Sequence, residues 1–310
     1  MIYFVKPNDS LWKIAIKTNT SINDLMNYNI LCNPNLIYPG DLLYVKKPRV
    51  QPLVTDRYPY YIVRPGDTLW CIAYKTGFGS NVQRFYSMNK DRIKNMDLIY
   101  PGTELIVTYS GEEEPGYWVN QILDYFPRDQ CASVLNNQRQ ISFLTSMSFY
   151  LETFGEDGIP HINKMLSSSC DAIIYTGVLS LGRIASSRPD ILETLNKHTM
   201  DSAPEVADIA KLALGRAKLV KSMGKRGHIT IKDVDLLSSP STNSPIKSKY
   251  SKGKAFIAHK WFIPYFGDQY NEVYDYIEFL DTGERGFVKI FQTRSGNYIP
   301  EAPYTPTYYI

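Results

Sequence analysis

The same order of apolar and polar positions appears twice near the start of the chain. A short apolar segment, residues 3–5 and again 61–63, is ended by a proline, and Asp followed by Ser or Thr comes next. Such side chains accept hydrogen bonds from the free N–H groups of a first helical turn, so a helix is expected to begin at both places, with Asp9 and Asp67 among its capping residues. Apolar residues at i, i+3 and i+4 then give each helix one apolar face.

The two copies match residue by residue, so they are internal repeats and not merely segments of similar composition. Residues 3–15 recur as residues 61–73, an offset of 58, and residues 36–40 recur as residues 98–102, an offset of 62. The ends of the unit are therefore kept while four residues are added between them in the second copy.

Each repeat predicts four elements. A second short helix is expected over residues 21–27 and 81–88. A Tyr-Pro-Gly turn then leads into a closing strand over residues 41–46 and 103–108. The predicted order in both repeats is strand, helix, helix, strand.

That order, with Pro-x-Asp-Ser/Thr-Leu-Trp-x-Ile-Ala early and Leu-Ile-Tyr-Pro-Gly late, resembles the LysM domain. The resemblance implies a shallow groove that binds N-acetylglucosamine units of peptidoglycan, chitin or a related polymer. The groove lies between the loop into the first helix and the loop out of the second. By this resemblance the glycan-binding residues are Asn8, Asp9, Ser10 and Leu11 with Asn35, Leu36, Ile37 and Tyr38, and Gly66, Asp67, Thr68 and Leu69 with Asp97, Leu98, Ile99 and Tyr100.

An acetamido group needs one donor, one acceptor and a small apolar surface, which loop backbone and apolar side chains supply without cofactor or metal. Asp9 and Asp67 are interpreted as caps, and Trp12 and Trp70 either cover the small core, the favoured interpretation, or stack on a sugar ring. Asn8 stands where the second copy has glycine. A changed loop backbone is therefore expected in the first copy, and the tighter site in the second.

Residues 115–220 predict helices. Residues 171–185 and 204–217 align at an offset of 33 and share a Leu-Gly-Arg sequence. They resemble HEAT-type repeats, which implies a concave surface for a protein partner; an ordinary helical bundle is the alternative. Arg183 and Arg216 are interpreted as residues that join adjacent repeats.

The remaining segments change character again. Residues 221–254 have few apolar groups and many lysines, which favours a flexible linker. Residues 255–310 predict a β-rich module or tail with a hairpin turn at residues 281–284, and the tyrosines of its last residues suggest cross-linking in an insoluble coat.

The predicted fold class is therefore multidomain α+β. The two βααβ LysM-like modules span residues 1–48 and 58–109, followed by the α-helical HEAT-like domain, the linker and the small β-rich C-terminal module.

Composition narrows the partners. A net charge of +3 over 310 residues gives no reason to expect nucleic acid. No stretch reaches about 18 apolar residues and no cleaved signal is evident, so neither a membrane span nor signal-dependent export is expected. The four cysteines, at positions 32, 71, 131 and 170, have no metal-ligand spacing. Buried free thiols are the expectation.

The sequence gives little support to catalysis. Glu152 with Asp157, or Glu278 with Asp281, are the carboxylate pairs that glycoside hydrolysis would need. For amidase or peptidase chemistry, Cys131 or Cys170 would be the thiol nucleophile and His161 its base. The histidines available to a zinc ion are His161, His198, His228 and His259. No motif surrounds any of them, so the expectation is no enzyme and no metal.

The predicted function is non-catalytic binding of N-acetylglucosamine-containing glycan, peptidoglycan first, that anchors a helical partner-binding domain in a bacterial cell wall or spore envelope such as the coat or cortex. The alternatives are a phage-like tail or baseplate component, made in the cytoplasm for particle assembly, and a LysM-tethered cell-wall hydrolase.

Overall fold

Both repeats have strand, helix, helix, strand order in the computed structural model, which describes residues 2–29, 31, 33–39, 41–47, 59–107, 113–125, 131, 135, 138–294 and 308–310. The first module contains β1 (Ile2–Phe4), α1 (Leu11–Thr18), α2 (Ile22–Asn29) and β2 (Leu42–Tyr44). The second contains β3 (Tyr60–Ile62), α3 (Leu69–Lys75), α4 (Val82–Met88) and β4 (Glu104–Ile106). In each, the two strands pair antiparallel.

The first helix of each module begins where the sequence predicts. The hydroxyl of Ser10 accepts from the Lys13 N–H at 3.3 Å, and that of Thr68 accepts from the Cys71 N–H at 3.2 Å. Each hydroxyl thus satisfies one of the N–H groups that a first turn leaves without a helical partner.

The middle of the chain is helical. Its α-helices in the described residues are α5 (Pro115–Tyr125), α6 (Gln138–Glu152), α7 (Ile159–Leu166), α8 (Asp171–Ile184), α9 (Pro189–His198) and α10 (Pro204–Met223). Arg216 on α10 donates to the carbonyls of Gly182 and Arg183 on α8, at 3.1 and 2.6 Å. Arg183 donates to the Ser148 hydroxyl on α6 at 2.7 Å. Both arginines therefore connect one helix to another, whereas their role between adjacent HEAT-type repeats stays a prediction.

The flexible linker expected over residues 221–254 is not observed. Helix α10 extends to Met223, and three strands follow, β5 (His228–Ile229), β6 (Val234–Leu237) and β7 (Ile246–Tyr250). Val234, Leu236 and Leu237 are buried. These few apolar residues suffice because the neighbouring strands provide the surface that covers them.

A six-stranded antiparallel sheet contains these strands together with β8 (Ala255–Phe266), β9 (Tyr270–Phe279) and β10 (Arg285–Arg294), in the order β5-β8-β9-β10-β6-β7. The predicted hairpin turn joins β9 to β10, where Gly283 has a φ of 68°. Tyr308 and Tyr309 are buried. They are therefore not available for the suggested cross-linking, while residues 295–307 lie outside the described residues.

The two modules differ in how their cores are built. Leu11, Ile14, Leu25 and their neighbours form a core confined to the first module. The core of the second module continues into the six-stranded sheet, and Phe85 of α4 belongs to the same apolar cluster as Phe256 of β8.

A buried polar network also joins the second module to the rest of the chain. Glu104 on β4 accepts from the Trp261 indole N–H at 2.9 Å and lies 3.0 Å from Nε2 of His228. Arg92 lies 3.6 Å from Glu104 and 3.1 Å from Glu152 on α6. Burial would raise the pKa of Glu104, but His228 and Arg92 lower it below its usual value. The carboxylate is therefore charged and fully partnered inside the protein.

The expectation of free thiols is wrong. Cys131 and Cys170 form a disulfide, and Cys71 is also disulfide-bonded. The two members of the first pair are 39 residues apart, and only the fold brings them together.

Within the described residues, no helix is both long and apolar enough to span a bilayer.

Candidate functional site

In each module, the loop between the first strand and first helix (the first loop) lies beside the loop that follows the second helix (the second loop). Val63 donates to the Thr103 carbonyl at 2.8 Å and accepts from the Gly102 N–H at 2.7 Å, which closes the base of the loops in the second module. Val5 donates equivalently to the Asp41 carbonyl at 2.9 Å. The sequence-predicted site residues are thus on adjacent loops.

Core packing brings the two loops together a second time. Leu11, which begins α1 directly after the first loop, and Ile37 of the second loop contact the same apolar core in the first module. Leu69 and Ile99 do so in the second module. These four residues anchor the loops, and Leu11 and Leu69 are themselves buried, each only 3% exposed.

The first loops have the same backbone shape despite their different residues. Asn8 has a φ of 67° and Gly66 a φ of 81°, both in the left-handed region. Asparagine tolerates this region better than most residues because its short polar side chain bonds locally. The expected change of backbone at Asn8 is therefore wrong.

Asp9 and Asp67 close the first loops and do not cap the helices. Asp9 accepts from the Lys6 N–H at 2.8 Å and the Tyr3 hydroxyl at 2.9 Å, and Asp67 accepts from the Arg64 N–H at 2.9 Å. Burial would raise the pKa of Asp9, but these hydrogen bonds lower it overall. Both carboxylates hold the loop shape mainly through one oxygen, Oδ2.

The second loops are built alike as well. The Asn35 N–H donates to the Asn33 side chain at 2.9 Å, and the Asp97 N–H to the Asn95 side chain at 2.9 Å. Asn35 and Asp97 are exposed, as are the capping residues Ser10 and Thr68.

Exposure distinguishes the two second loops. Leu98 and Tyr100 are 50% and 62% exposed, whereas Leu36 and Tyr38 at the equivalent positions are half-buried. The Tyr38 hydroxyl donates to the Pro65 carbonyl at 2.9 Å. A Cβ on Gly66 would lie 2.6 Å from Leu36 Cδ1, so Leu36 rests directly on that glycine. The second loop of the first module therefore packs against the first loop of the second module.

The tryptophans do not cover the core, contrary to the favoured interpretation. Trp12 is 62% exposed and Trp70 56% exposed. Trp70 stacks on Tyr74 one helical turn later, with ring centroids 5.6 Å apart. The apolar face formed by i, i+3 and i+4 points inward, so the residue after its first member points outward.

Several of the residues considered for catalysis have other partners. Cys131 and Cys170 are bonded to each other and cannot act as thiol nucleophiles. Glu152 accepts from the buried Tyr60 hydroxyl at 2.5 Å, and Glu278 pairs with Arg285. Among the residues that the structure describes, no three His, Cys, Asp or Glu side chains are grouped so as to hold a metal ion.

These features define a protein with two tandem small strand-helix-helix-strand modules joined to a larger helix-and-sheet body. The LysM domain family matches the chain at residues 3–46 and 61–108, so its N-terminal region consists of two tandem LysM domains.

Relatives resemble the same region. The N-acetylmuramoyl-L-alanine amidase sle1 of Staphylococcus epidermidis is 35% identical over 104 residues, 34% of this chain and 30% of the amidase. The sle1 amidase of Staphylococcus saprophyticus is 38% identical over 108 residues, 34% of this chain and 31% of the amidase. The chain therefore spans about a third of these relatives' length.

Among solved structures, the spore cortex-lytic enzyme SleL of Bacillus cereus aligns over 93% of this chain and 88% of its own, at 10% identity and a TM-score of 0.17.

Proposed function

We propose that the N-terminal region binds N-acetylglucosamine-containing glycan, peptidoglycan first, without catalysing its cleavage. The observation that carries this proposal is the presence of two LysM domains whose first loops share one backbone shape. Family members bind such glycans, and the relatives named above are N-acetylmuramoyl-L-alanine amidases. Exposed loop backbone and apolar side chains suit an acetamido group, and the loop aspartates serve the fold.

The second module is the tighter of the two proposed sites. Its second loop presents Leu98 and Tyr100 to solvent, whereas Leu36 and Tyr38 are occupied by the contact between modules. Two sites on one chain suit a repeating polymer, because the second contact is intramolecular.

The larger body would then be held at the wall by the glycan. We propose a location in a bacterial cell wall or spore envelope, with the HEAT-like face of α8 to α10 as the surface for a protein partner. The helices and strands described after the two LysM modules lie outside the part of the chain that matches the amidases.

The test is a titration of the intact chain with chitotetraose, followed by calorimetry, together with sedimentation on insoluble peptidoglycan. Leu98→Asp is expected to lower affinity at least about tenfold, since it places a charge where apolar contact is needed. Met200→Asp, at a residue 87% exposed on the helical body, is the matched control. Absence of binding to both polymers, or equal behaviour of the two variants, would refute glycan binding by these loops. Release of muropeptides by the intact chain would refute the non-catalytic role.

A further inference from the structure

A cavity of about 700 Å³ lies where the two modules meet the six-stranded sheet. The first module contributes Tyr38 and Asp41, the second contributes residues 60–65 with Lys75, and β8 contributes residues 259–262. Cavities of about 300–1,000 Å³ are the size that holds small-molecule ligands. The cavity adjoins the proposed glycan-binding loops. Tyr38 belongs to both the cavity lining and a glycan-binding loop, and Pro65 of the lining directly precedes Gly66.

The lining is strongly basic. Its cations are Arg64, Lys75, Arg226 and Lys260, and Asp41 is the sole carboxylate among the described residues that line it. Asp67, behind the lining, pairs with Lys75 at 3.5 Å. Four positive charges thus face two negative ones, which favours an anion in the cavity.

The cations have spare capacity for a ligand. Arg64 and Lys260 share Asp41, at 2.8 and 3.8 Å, and Lys260 also donates to the Pro39 carbonyl at 3.2 Å. Arg226 donates to the Ala258 carbonyl at 2.9 Å, while its Nε is buried without a hydrogen-bond partner. Arginine presents five N–H donors in a fork that matches a carboxylate.

Aromatic rings form part of the apolar wall, among them Tyr38, Tyr61, Trp261 and Phe262. Phe262 has a φ of 54°, a conformation that bulky residues rarely adopt, and its N–H is held by the Asp275 carboxylate at 3.0 Å. Such strained residues cluster at ligand sites.

We propose that this cavity binds a carboxylate-bearing substituent of the glycan held on the loops, as in the acidic peptide of a muropeptide. The inference rests on the proposed function for the position of the sugar, and on the cavity for the charge. It makes the protein selective for peptidoglycan over chitin, whose chain carries no carboxylate.

The pH dependence follows from the geometry. Lys260 faces Asp41 and Arg64, with Lys75, Arg226 and the Glu278-paired His259 on the same lining. Burial, opposed by Asp41 and reinforced by Arg64, lowers the pKa of Lys260 to about 8. A lysine is charged below its pKa, so the anion is expected to bind more weakly as the pH rises from about 7 to about 9.5.

The test uses the intact chain and calorimetry with three probes, a disaccharide-tripeptide muropeptide, the same muropeptide with its carboxylates amidated, and chitotetraose. The acidic muropeptide is expected to bind at least about tenfold more tightly than the amidated one, since charge-assisted hydrogen bonds are lost on amidation. Lys260→Met and Arg226→Met should remove this preference, Lys260→Arg should keep it, and Lys249→Met on the exposed edge strand β7 is the control. Chitotetraose affinity should not change in any variant.

Equal binding of the two muropeptides by the natural chain, or retention of the preference in both Met variants, would overturn the inference. Tighter binding of glycerol phosphate than of the muropeptide would overturn the assignment to a carboxylate. If chitotetraose does not bind but the acidic muropeptide still binds more tightly than the amidated one, the result would count against the sugar-binding loops. The cavity assignment would then stand.

Discussion

The two LysM modules share a sequence pattern and a loop conformation, yet they are embedded differently. The first has a core of its own and meets the rest of the chain mainly through Leu36, Tyr38 and Asp41. The second shares its core with the six-stranded sheet and is tied to the helices through Glu104, Arg92 and Glu152. The difference shows that a repeat can preserve its local fold while its outer surface is reused for entirely different contacts.

The largest expected effect comes from the buried network of the second module. Glu104→Ala removes the carboxylate that partners His228, Trp261 and Arg92, so the free energy of unfolding should fall by about 3–5 kcal/mol. Chemical denaturation measures the loss, with the exposed Glu193→Ala as control. A loss below about 1 kcal/mol would mean that the network does not hold the module.

Truncation of one core residue in each module tests whether the cores are separate. Phe85→Ala should cost about 3–5 kcal/mol and Leu25→Ala about 2–5 kcal/mol, because both side chains are fully buried. Hydrogen exchange should show lost protection only within residues 2–47 for Leu25→Ala. For Phe85→Ala the loss should extend into β8 and β9. Loss in the sheet after Leu25→Ala would contradict the separation.

The contact between modules depends on Gly66 having no side chain, because Leu36 occupies the space that a Cβ would fill. Gly66→Ala should cost about 1–2 kcal/mol for the left-handed backbone, together with a clash against Leu36. Gly283→Ala is the matched control, since Gly283 has a φ of 68° and open space around its Cβ position. A larger chemical-denaturation loss at Gly66, and partial recovery in Gly66→Ala with Leu36→Ala, are expected. Equal losses at the two glycines would show that Leu36 does not press on Gly66.

The smallest effect is expected at the ion pair between modules. Arg64→Gln leaves Asp41 with Lys260 and should cost at most about 1 kcal/mol, because the Arg64 side chain is one-third exposed. The loss should shrink in high salt, where charges near the surface are screened. Thermal unfolding at low and high salt measures it, and a salt-independent loss would point to packing by the arginine instead.

The site was predictable from the sequence to the extent that it is local. The repeat located both loops and both helix starts, because their spacing reflects bonds within a single module. The sixteen candidate contact residues stay a prediction. The roles of Asp9 and Asp67 were assigned wrongly, since a turn-closing carboxylate and a capping one look alike in sequence. The cavity lining was missed because Arg64, Arg226 and Lys260 are far apart along the chain.

By itself, the sequence determined the LysM repeats, their strand-helix-helix-strand order, the helical middle and the hairpin between β9 and β10. These follow from capping, periodicity and turn chemistry, which act over a few residues. Only the tertiary structure decided the cysteine pairing, the place of residues 228–250 in the sheet, and the docking of Leu36 on Gly66. Each of these depends on which distant surfaces meet, and burial against such a surface outweighs the local preferences of the chain.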